Sequence, residues 1–171
     1  PDLPRIEPRS REDPVPVEAL SLWEMVLRVA LAALLGGAIG WDRERQDKAA
    51  GIRTMILVSI GACGAMLAAM ELAAAFGAQG VTLDPLRVIS GVIGGVGFLG
   101  AGAIIQSGGA IHGMTTAATI WASAGIGVAT GAGLYRLAII LTAFVLITLV
   151  VVTMMKGTVL PEKHDPDGGQ A

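Results

Sequence analysis

The stretch LYRLAIILTAFVLITLVVVTMM, which runs from Leu134 to Met155, contains a single charged residue, Arg136. A helix needs roughly 20 mostly apolar residues to cross the ~30 Å hydrocarbon layer of a bilayer, so this stretch predicts a transmembrane helix. Four further apolar runs follow the same rule: Leu22–Trp41, Thr54–Phe76, Leu86–Gln106 and Met114–Gly131. The sequence therefore predicts an all-α polytopic membrane protein, a bundle of about five transmembrane helices with Gly-rich packing faces.

The composition also indicates a membrane protein. Of the 171 residues, 53% are hydrophobic and 15% are charged, whereas soluble domains are roughly 25% charged. The net charge of -2, without a long basic run, gives no electrostatic footprint for nucleic acid. Because Cys63 is the only cysteine, no intramolecular disulfide or cysteine-based zinc cluster can form, and we expect Cys63 to be a small buried residue.

Polar segments divide the chain into a membrane domain and two tails. Residues 1–20 are predicted to be a disordered polar tail, residues 21–156 the five-span domain, and residues 157–171 a short polar tail. Short connections make sequential helices antiparallel neighbours. Basic residues are concentrated in the first connection, with Arg43, Arg45, Lys48 and Arg53 in or beside it. The positive-inside rule then predicts a cytoplasmic first connection and C-terminus, with the N-terminus outside.

Glycines spaced four apart predict close helix packing in lipid, because both lie on one helix face. The predicted packing glycines are Gly36, Gly40, Gly91, Gly95, Gly97, Gly100, Gly102, Gly127 and Gly131. These faces predict a homo-oligomer, most simply a two-fold dimer. The last span has no interior glycine and is predicted to lie at the lipid-facing periphery.

Charges near the outer membrane surface form one candidate site. As a helix, the segment from Arg28 to Asp42 covers about 20 Å, which is less than the hydrocarbon thickness, so one of the two charges approaches the hydrocarbon. Such charges are functional candidates by default. Alternatively, Arg28 extends outward and pairs with Glu24 on the same helix face. Arg87, at the start of the third span, is predicted to join Arg28 in an outer basic cluster.

A second candidate site lies at the predicted inner surface, where charged and hydroxyl side chains meet. Its predicted members are Asp42, Arg43, Glu44, Arg53, Thr54, Thr115, Thr116 and Thr119. We expect Asp42 or Glu44 to form a charge-assisted pair with Arg53. The threonines, continued by Ser123, either contribute to this inner polar cluster or bond to carbonyl groups one turn back.

No set of residues indicates catalysis. Gly94–Gly102 contains fragments of a phosphate-binding glycine motif, but no strand or βαβ unit surrounds them, which excludes a nucleotide site. No Ser–His–Asp set shares a face, and His112 is predicted to be solvated. We therefore expect a protein that is not an enzyme and has no cofactor; whether it binds a metal stays open.

Four blocks together resemble the MgtC/SapB family of bacterial inner-membrane proteins. They are Gly40-Trp41-Asp42-Arg43-Glu44, Ala50-Gly51-Ile52-Arg53-Thr54, Gly95-Val96-Gly97-Phe98-Leu99-Gly100-Ala101-Gly102 and Gly113-Met114-Thr115-Thr116-Ala117-Ala118-Thr119-Ile120-Trp121. The resemblance covers roughly Leu22 to Val152, and Arg28 and Arg87 fall where members commonly carry arginine. Asp42 departs from the family's usual Glu.

The resemblance implies a five-span inner-membrane domain with a cytoplasmic C-terminus. It also implies a link to growth at low magnesium, to acid and intracellular stress, to virulence and, in one branch, to restraint of the F-type ATP synthase. The virulence branch carries a cytoplasmic domain after the last span, whereas here a short polar tail is expected. The leading hypothesis is a membrane regulator whose inner polar cluster meets a membrane partner or ion. The alternatives are a small transporter or channel for Mg²⁺, protons or phosphate, and a purely structural assembly unit.

Overall fold

The computed structural model describes residues 20–77, 84–107 and 110–159, which form five helices and one short hairpin. In chain order the elements are α1 (Leu22–Arg45), α2 (Ile52–Gly77), α3 (Pro85–Gly102), β1 (Ile105–Ser107), β2 (Ala110–His112), α4 (Met114–Gly131) and α5 (Tyr135–Val159). The predicted all-α membrane bundle is confirmed. Most of the two predicted tails and of the second connection lies outside the described residues, although α5 continues to Val159.

Local sequence signals fix where two of the helices begin. The Ser21 hydroxyl accepts a hydrogen bond from the Glu24 backbone N–H, and the Glu24 carboxylate accepts one from the Ser21 N–H, which is a capping box at the start of α1. Before α3, the Asp84 carboxylate accepts from the Leu86 N–H at 2.9 Å, and Pro85 occupies the first helical turn. Glu24 is therefore a helix cap at one end of α1.

Helix α4 lies at the centre of the bundle and contacts each of the other four helices. Its last six residues, 126–131, are all buried. Helix α5 packs against α4 and α1 and exposes most of its large apolar side chains, as predicted for a peripheral helix. Cys63 is fully buried in α2, which confirms the expectation for the single cysteine.

Glycines allow α2 to pack directly against α1 and α4. A Cβ atom added at Gly36 would lie 2.7 Å from the Met55 carbonyl oxygen, and one added at Gly131 would lie 2.7 Å from the Cys63 carbonyl oxygen. Added Cβ atoms at Gly40 and Gly127 would also collide with the backbone of α2. These four predicted packing glycines therefore lie where only a residue without a side chain fits.

The glycines of α3 have a different environment. Gly100 is in ordinary contact range of Ala117, but a Cβ added at Gly91, Gly95, Gly97 or Gly102 would meet no atom of the described residues within 4 Å. Within the described residues, these four glycines therefore do not have the packing role that the sequence predicts. It stays a prediction for contacts between molecules.

The third predicted span, Leu86–Gln106, is wrong at its C-terminal end. Helix α3 ends at Gly102, and β1 and β2 pair antiparallel with Ile105 opposite His112. Glycine is a poor helix former, so the glycines that close α3 favour an early end. Gly113 has a φ of 88°, and a Cβ atom added there would collide with the Ala103 carbonyl, so a glycine in the left-handed conformation turns the chain from β2 into α4.

Three of the helices, α1, α2 and α5, have the length and apolar composition of a membrane crossing. Helices α3 and α4 have 18 residues each, which corresponds to about 27 Å along the axis. Helix α4 is also the richest in buried hydroxyl groups, with Thr116, Thr119, Ser123 and Thr130. These hydroxyl groups are compatible with a central position because the bundle covers them.

Candidate polar sites at the two ends of the bundle

Arg43 is the centre of one polar end of the bundle, which we call the Arg43 end. Its side chain is only 3% exposed, and its Nη2 donates to the Thr116 hydroxyl at 3.0 Å. Its Nε is buried and has no acceptor in the described part of the chain. Among the described residues no carboxylate forms an ion pair with this guanidinium, and the adjacent Asp42 carboxylate instead accepts from the Gln46 amide at 2.8 Å. Arg43 therefore carries a buried charge with one hydrogen bond.

The predicted pairing of Asp42 or Glu44 with Arg53 is wrong. Glu44 Oε2 accepts from the Ile52 backbone N–H at 2.7 Å, so this carboxylate caps the first turn of α2. Arg53 is exposed and forms no ion pair with a described carboxylate, and Thr54 is half-buried without a side-chain hydrogen bond in the same part of the chain. The free backbone N–H groups of α2 compete for Glu44, because a helix N-terminus attracts carboxylates.

The threonine stripe divides into two roles. Thr119 donates to the carbonyl oxygens of Thr115 and Thr116 at 2.8 and 2.9 Å, as expected for hydroxyls in membrane helices. Thr116 is buried and contacts Arg43, whereas Thr115 is exposed. Ser123 donates to the Met55 sulfur at 3.3 Å. Of the predicted threonines, Thr116 is the one that joins the buried charge.

A pocket of about 630 Å³ opens beside Arg43. Its walls come from the end of α1, from β2, from the first turn of α4 and from the second half of α5, and its described lining residues include no Asp or Glu. The polar lining residues are Arg43, Gln46, Lys48, His112, Thr115, Thr116, Thr148 and Thr153. His112 is exposed, as predicted, but it lies in this wall.

Sequence reasoning did not identify Gln46, Lys48 and Thr153 as members of this end. Gln46 donates to Asp42 and accepts from the Thr153 hydroxyl at 3.2 Å, which connects α1 to α5. The spacing of Asp42 and Gln46 by four residues was a usable signal for the first of these bonds. The contact with α5 had no sequence signal, because it joins residues that are far apart along the chain.

At the opposite end of the bundle, Arg28 is buried and bonded to three other helices or their ends. Its Nη1 donates to the Gly131 carbonyl oxygen at 2.8 Å and lies 3.8 Å from the Met70 sulfur, while its Nε donates to the Tyr135 hydroxyl at 3.1 Å. Gly133 has a φ of 78°, and a Cβ atom added there would lie 3.3 Å from the guanidinium. The alternative in which Arg28 extends outward to Glu24 is therefore wrong, because Glu24 is the helix cap.

The predicted outer basic cluster is also wrong. Arg87 is exposed at the start of α3 and, within the described residues, is not a contact of Arg28. Nor do the described residues contain a group of three or more His, Cys, Asp or Glu side chains that could hold a metal ion. The two ends thus differ: Arg28 is enclosed by hydrogen-bond acceptors, and Arg43 faces a pocket.

Comparison with known proteins gives a consistent match over the bundle. Residues 29–158 match the model of the MgtC family. The chain is 39% identical to Protein SapB of Bacillus subtilis over 74% of its own length and 55% of that protein. It is 36% identical to Protein MgtC of Salmonella typhimurium over 75% of its own length and 52% of that protein.

A third relative is the Escherichia coli protein named "Putative magnesium transporter YhiD", which is 40% identical over 74% of this chain and 59% of that protein. The chain thus spans a little more than half the length of these curated relatives. No solved structure matches the chain.

Proposed function

Since this chain belongs to the MgtC family, we propose that it is a magnesium-related membrane protein that acts as a non-enzymatic regulator in the bacterial inner membrane. In this role it supports adaptation to low magnesium, acid or related stress by acting on another membrane protein, of which the F-type ATP synthase is one candidate. The Arg43 end faces the cytoplasm and the N-terminus lies outside, as the distribution of basic residues indicates.

The packing of α4 is the observation that carries this proposal. Residues 126–131 are all buried, and Gly127 and Gly131 lie directly against the backbone of α2. The centre of the bundle is therefore filled by a helix. A solute could cross along the bundle axis only if these helices separated, which favours a regulator over a conduit.

A second copy of the chain is the proposed partner within the membrane. An apolar groove of about 430 Å³ lies between α2 and α3 and includes Gly61, Gly91 and Gly95, at which an added Cβ would meet nothing within 4 Å. Small residues let helix backbones approach closely in lipid. The homodimer would bury this face and would give the open glycines of α3 a packing role that the described residues of one chain do not provide.

The second candidate function is a small ion transporter. It is supported by the pocket beside Arg43 and by the printed name of the E. coli relative. Its candidate solutes are Mg²⁺, protons and phosphate. Arg43 and Lys48 in the pocket wall disfavour a divalent cation there, because like charges repel at short range.

A liposome experiment separates the two functions. The purified chain is reconstituted, and fluxes of Mg²⁺, protons and phosphate are measured against empty liposomes, while a deletion strain is assayed for growth at low magnesium, membrane potential and ATP level. We expect no flux, with a growth defect that this chain restores. Flux of any of the three solutes that Arg43→Gln reduces would identify a transporter instead. No flux and no cellular change would contradict both functions.

A further inference from the structure

The pocket at the Arg43 end contains a buried positive charge that no carboxylate of the described residues contacts in an ion pair, although the adjacent Asp42 acts on it electrostatically. Arg43 is 3% exposed and lines the pocket, and its guanidinium has the Thr116 hydroxyl as its one hydrogen-bond acceptor among the described residues. Its Nε is buried without any acceptor there. Taking an arginine out of water is unfavourable when no hydrogen-bonded counter-charge accompanies it. Such a group indicates an anion that completes the site.

The first turn of α4 supplies a second feature of an anion site, and it is independent of Arg43. Gly113 precedes the helix and gives it no side-chain cap, so the N–H groups of Met114, Thr115 and Thr116 have no acceptor in the described part of the chain. These residues line the same pocket. Free N–H groups and the helix dipole favour negative charge at this position.

A further positive charge, that of Lys48, lies in the pocket wall outside α1 and α4. Lys48 lies in the connection after α1 and is exposed, and His112 stands at the end of β2. Together with Arg43 they line the pocket from two segments of the chain. The described lining residues include no acidic side chain that could serve as a counter-charge to Arg43 and Lys48.

We propose that this pocket binds a phosphate group, held by the Arg43 guanidinium, the first turn of α4 and the Lys48 ammonium group. Phosphate suits this arrangement because it presents several oxygens to donors that converge from different elements, and arginine pairs with it in two-bond geometry. The group comes either from dissolved phosphate or from the headgroup of an anionic lipid. Leu149 and Val152 of α5 line one wall and provide an apolar surface for the lipid.

The inference goes beyond the proposed regulatory function, and its test does not depend on a cellular response. The full chain is purified in detergent, and its unfolding temperature is followed by tryptophan fluorescence while sodium phosphate replaces sodium chloride at constant ionic strength. Matched ionic strength keeps general charge screening equal. In a second arm, the chain is placed in nanodiscs of phosphatidylcholine with or without phosphatidic acid, and retained lipid is counted by native mass spectrometry.

The variants are Arg43→Gln and Lys48→Gln, with Arg45→Gln as the matched control. Arg45 is exposed, lies over the Trp41 ring at 5.4 Å and is not a lining residue of the pocket. We expect Arg43→Gln to weaken binding at least about tenfold, because hydrogen bonds to charged groups are among the stronger ones. Lys48→Gln should weaken it less and, since Lys48 is exposed, should leave folding unaffected. Lys48→Gln therefore still tests the phosphate site if Arg43→Gln does not fold.

Each outcome has a defined meaning. Stabilisation by phosphate that both variants reduce and the control retains supports the site with dissolved phosphate as its source. Retention of phosphatidic acid with the same dependence, without an effect of dissolved phosphate, supports the site with a lipid headgroup as its source. The absence of both effects, or equal losses in Arg45→Gln, would overturn the proposal.

Discussion

The Nη1 atom of Arg28 donates to the Gly131 carbonyl oxygen over 2.8 Å, across 103 residues of sequence. Gly131 is the last residue of α4, where the carbonyl groups of a helix lack partners within the helix. The absence of a side chain at Gly131 also allows α4 to contact the Cys63 carbonyl of α2. Gly131 therefore connects the end of the central helix α4 to both α1 and α2.

Replacing Arg28 should destabilise the bundle. In Arg28→Met the Gly131 carbonyl and the Tyr135 hydroxyl lose a charged donor, and we expect the free energy of unfolding to fall by roughly 2 kcal/mol, as is typical of hydrogen bonds to charged groups. Unfolding of the variant and of the unchanged protein in mixed micelles measures this loss of free energy. Arg87→Met is the control, because Arg87 is exposed. Equal losses in the two variants would show that the contacts of Arg28 contribute nothing specific.

Two glycines of α4 should respond in opposite ways to the same substitution. In Gly127→Ala the new methyl group would collide with the Ser59 carbonyl, whereas in Gly125→Ala it would meet nothing within 4 Å. We expect Gly127→Ala to lower the free energy of unfolding by about 1–3 kcal/mol, because the backbone must shift. Gly125→Ala should be neutral or stabilising by up to ~1 kcal/mol, because alanine favours the helix. Thermal unfolding of the pair in detergent tests this, and an unchanged Gly127→Ala would contradict the packing.

The role of Glu44 as a cap can be separated from its charge. Glu44→Ala removes the acceptor of the Ile52 N–H and should cost about 1 kcal/mol of unfolding free energy. Glu44→Gln retains an oxygen acceptor and should lose clearly less. The measurement is equilibrium unfolding followed by circular dichroism. Alanine and glutamine variants of equal stability would mean that the hydrogen bond to Ile52 is not the source of the effect.

The sequence was sufficient for the all-α membrane bundle, because apolar length is a property of single segments. It placed Arg43 and Thr116 at one end of the bundle, and the structure brings them into contact. It did not provide the partners of Arg28, since a backbone carbonyl leaves no mark in a sequence pattern. The predicted partner of Glu44 was also wrong, because the same carboxylate can either cap a helix or form an ion pair.

The third span shows a different reason for failure. Apolar composition continues past Gly102 into Ile104 and Ile105, so a length rule extends the helix. Whether such residues remain helical depends on glycine propensity and on the turn at Gly113, whose left-handed conformation becomes evident only in the structure. The open faces of Gly91 and Gly95 were likewise indistinguishable in sequence from the closed face of Gly36, because both share the same spacing.

The open face of α3 gives a prediction about association. Gly95→Leu adds a large side chain in the groove between α2 and α3, at a position where an added Cβ meets no described atom within 4 Å. We expect folding to persist and self-association in the membrane to weaken about tenfold, a loss of about 1.4 kcal/mol. Energy transfer between two labelled copies in liposomes measures this at several dilutions. Ala143→Leu on the exposed side of α5 is the control, since it adds the same bulk away from the groove. Association that is unchanged in Gly95→Leu, or reduced equally in the control, would contradict the assignment of this face to a second copy.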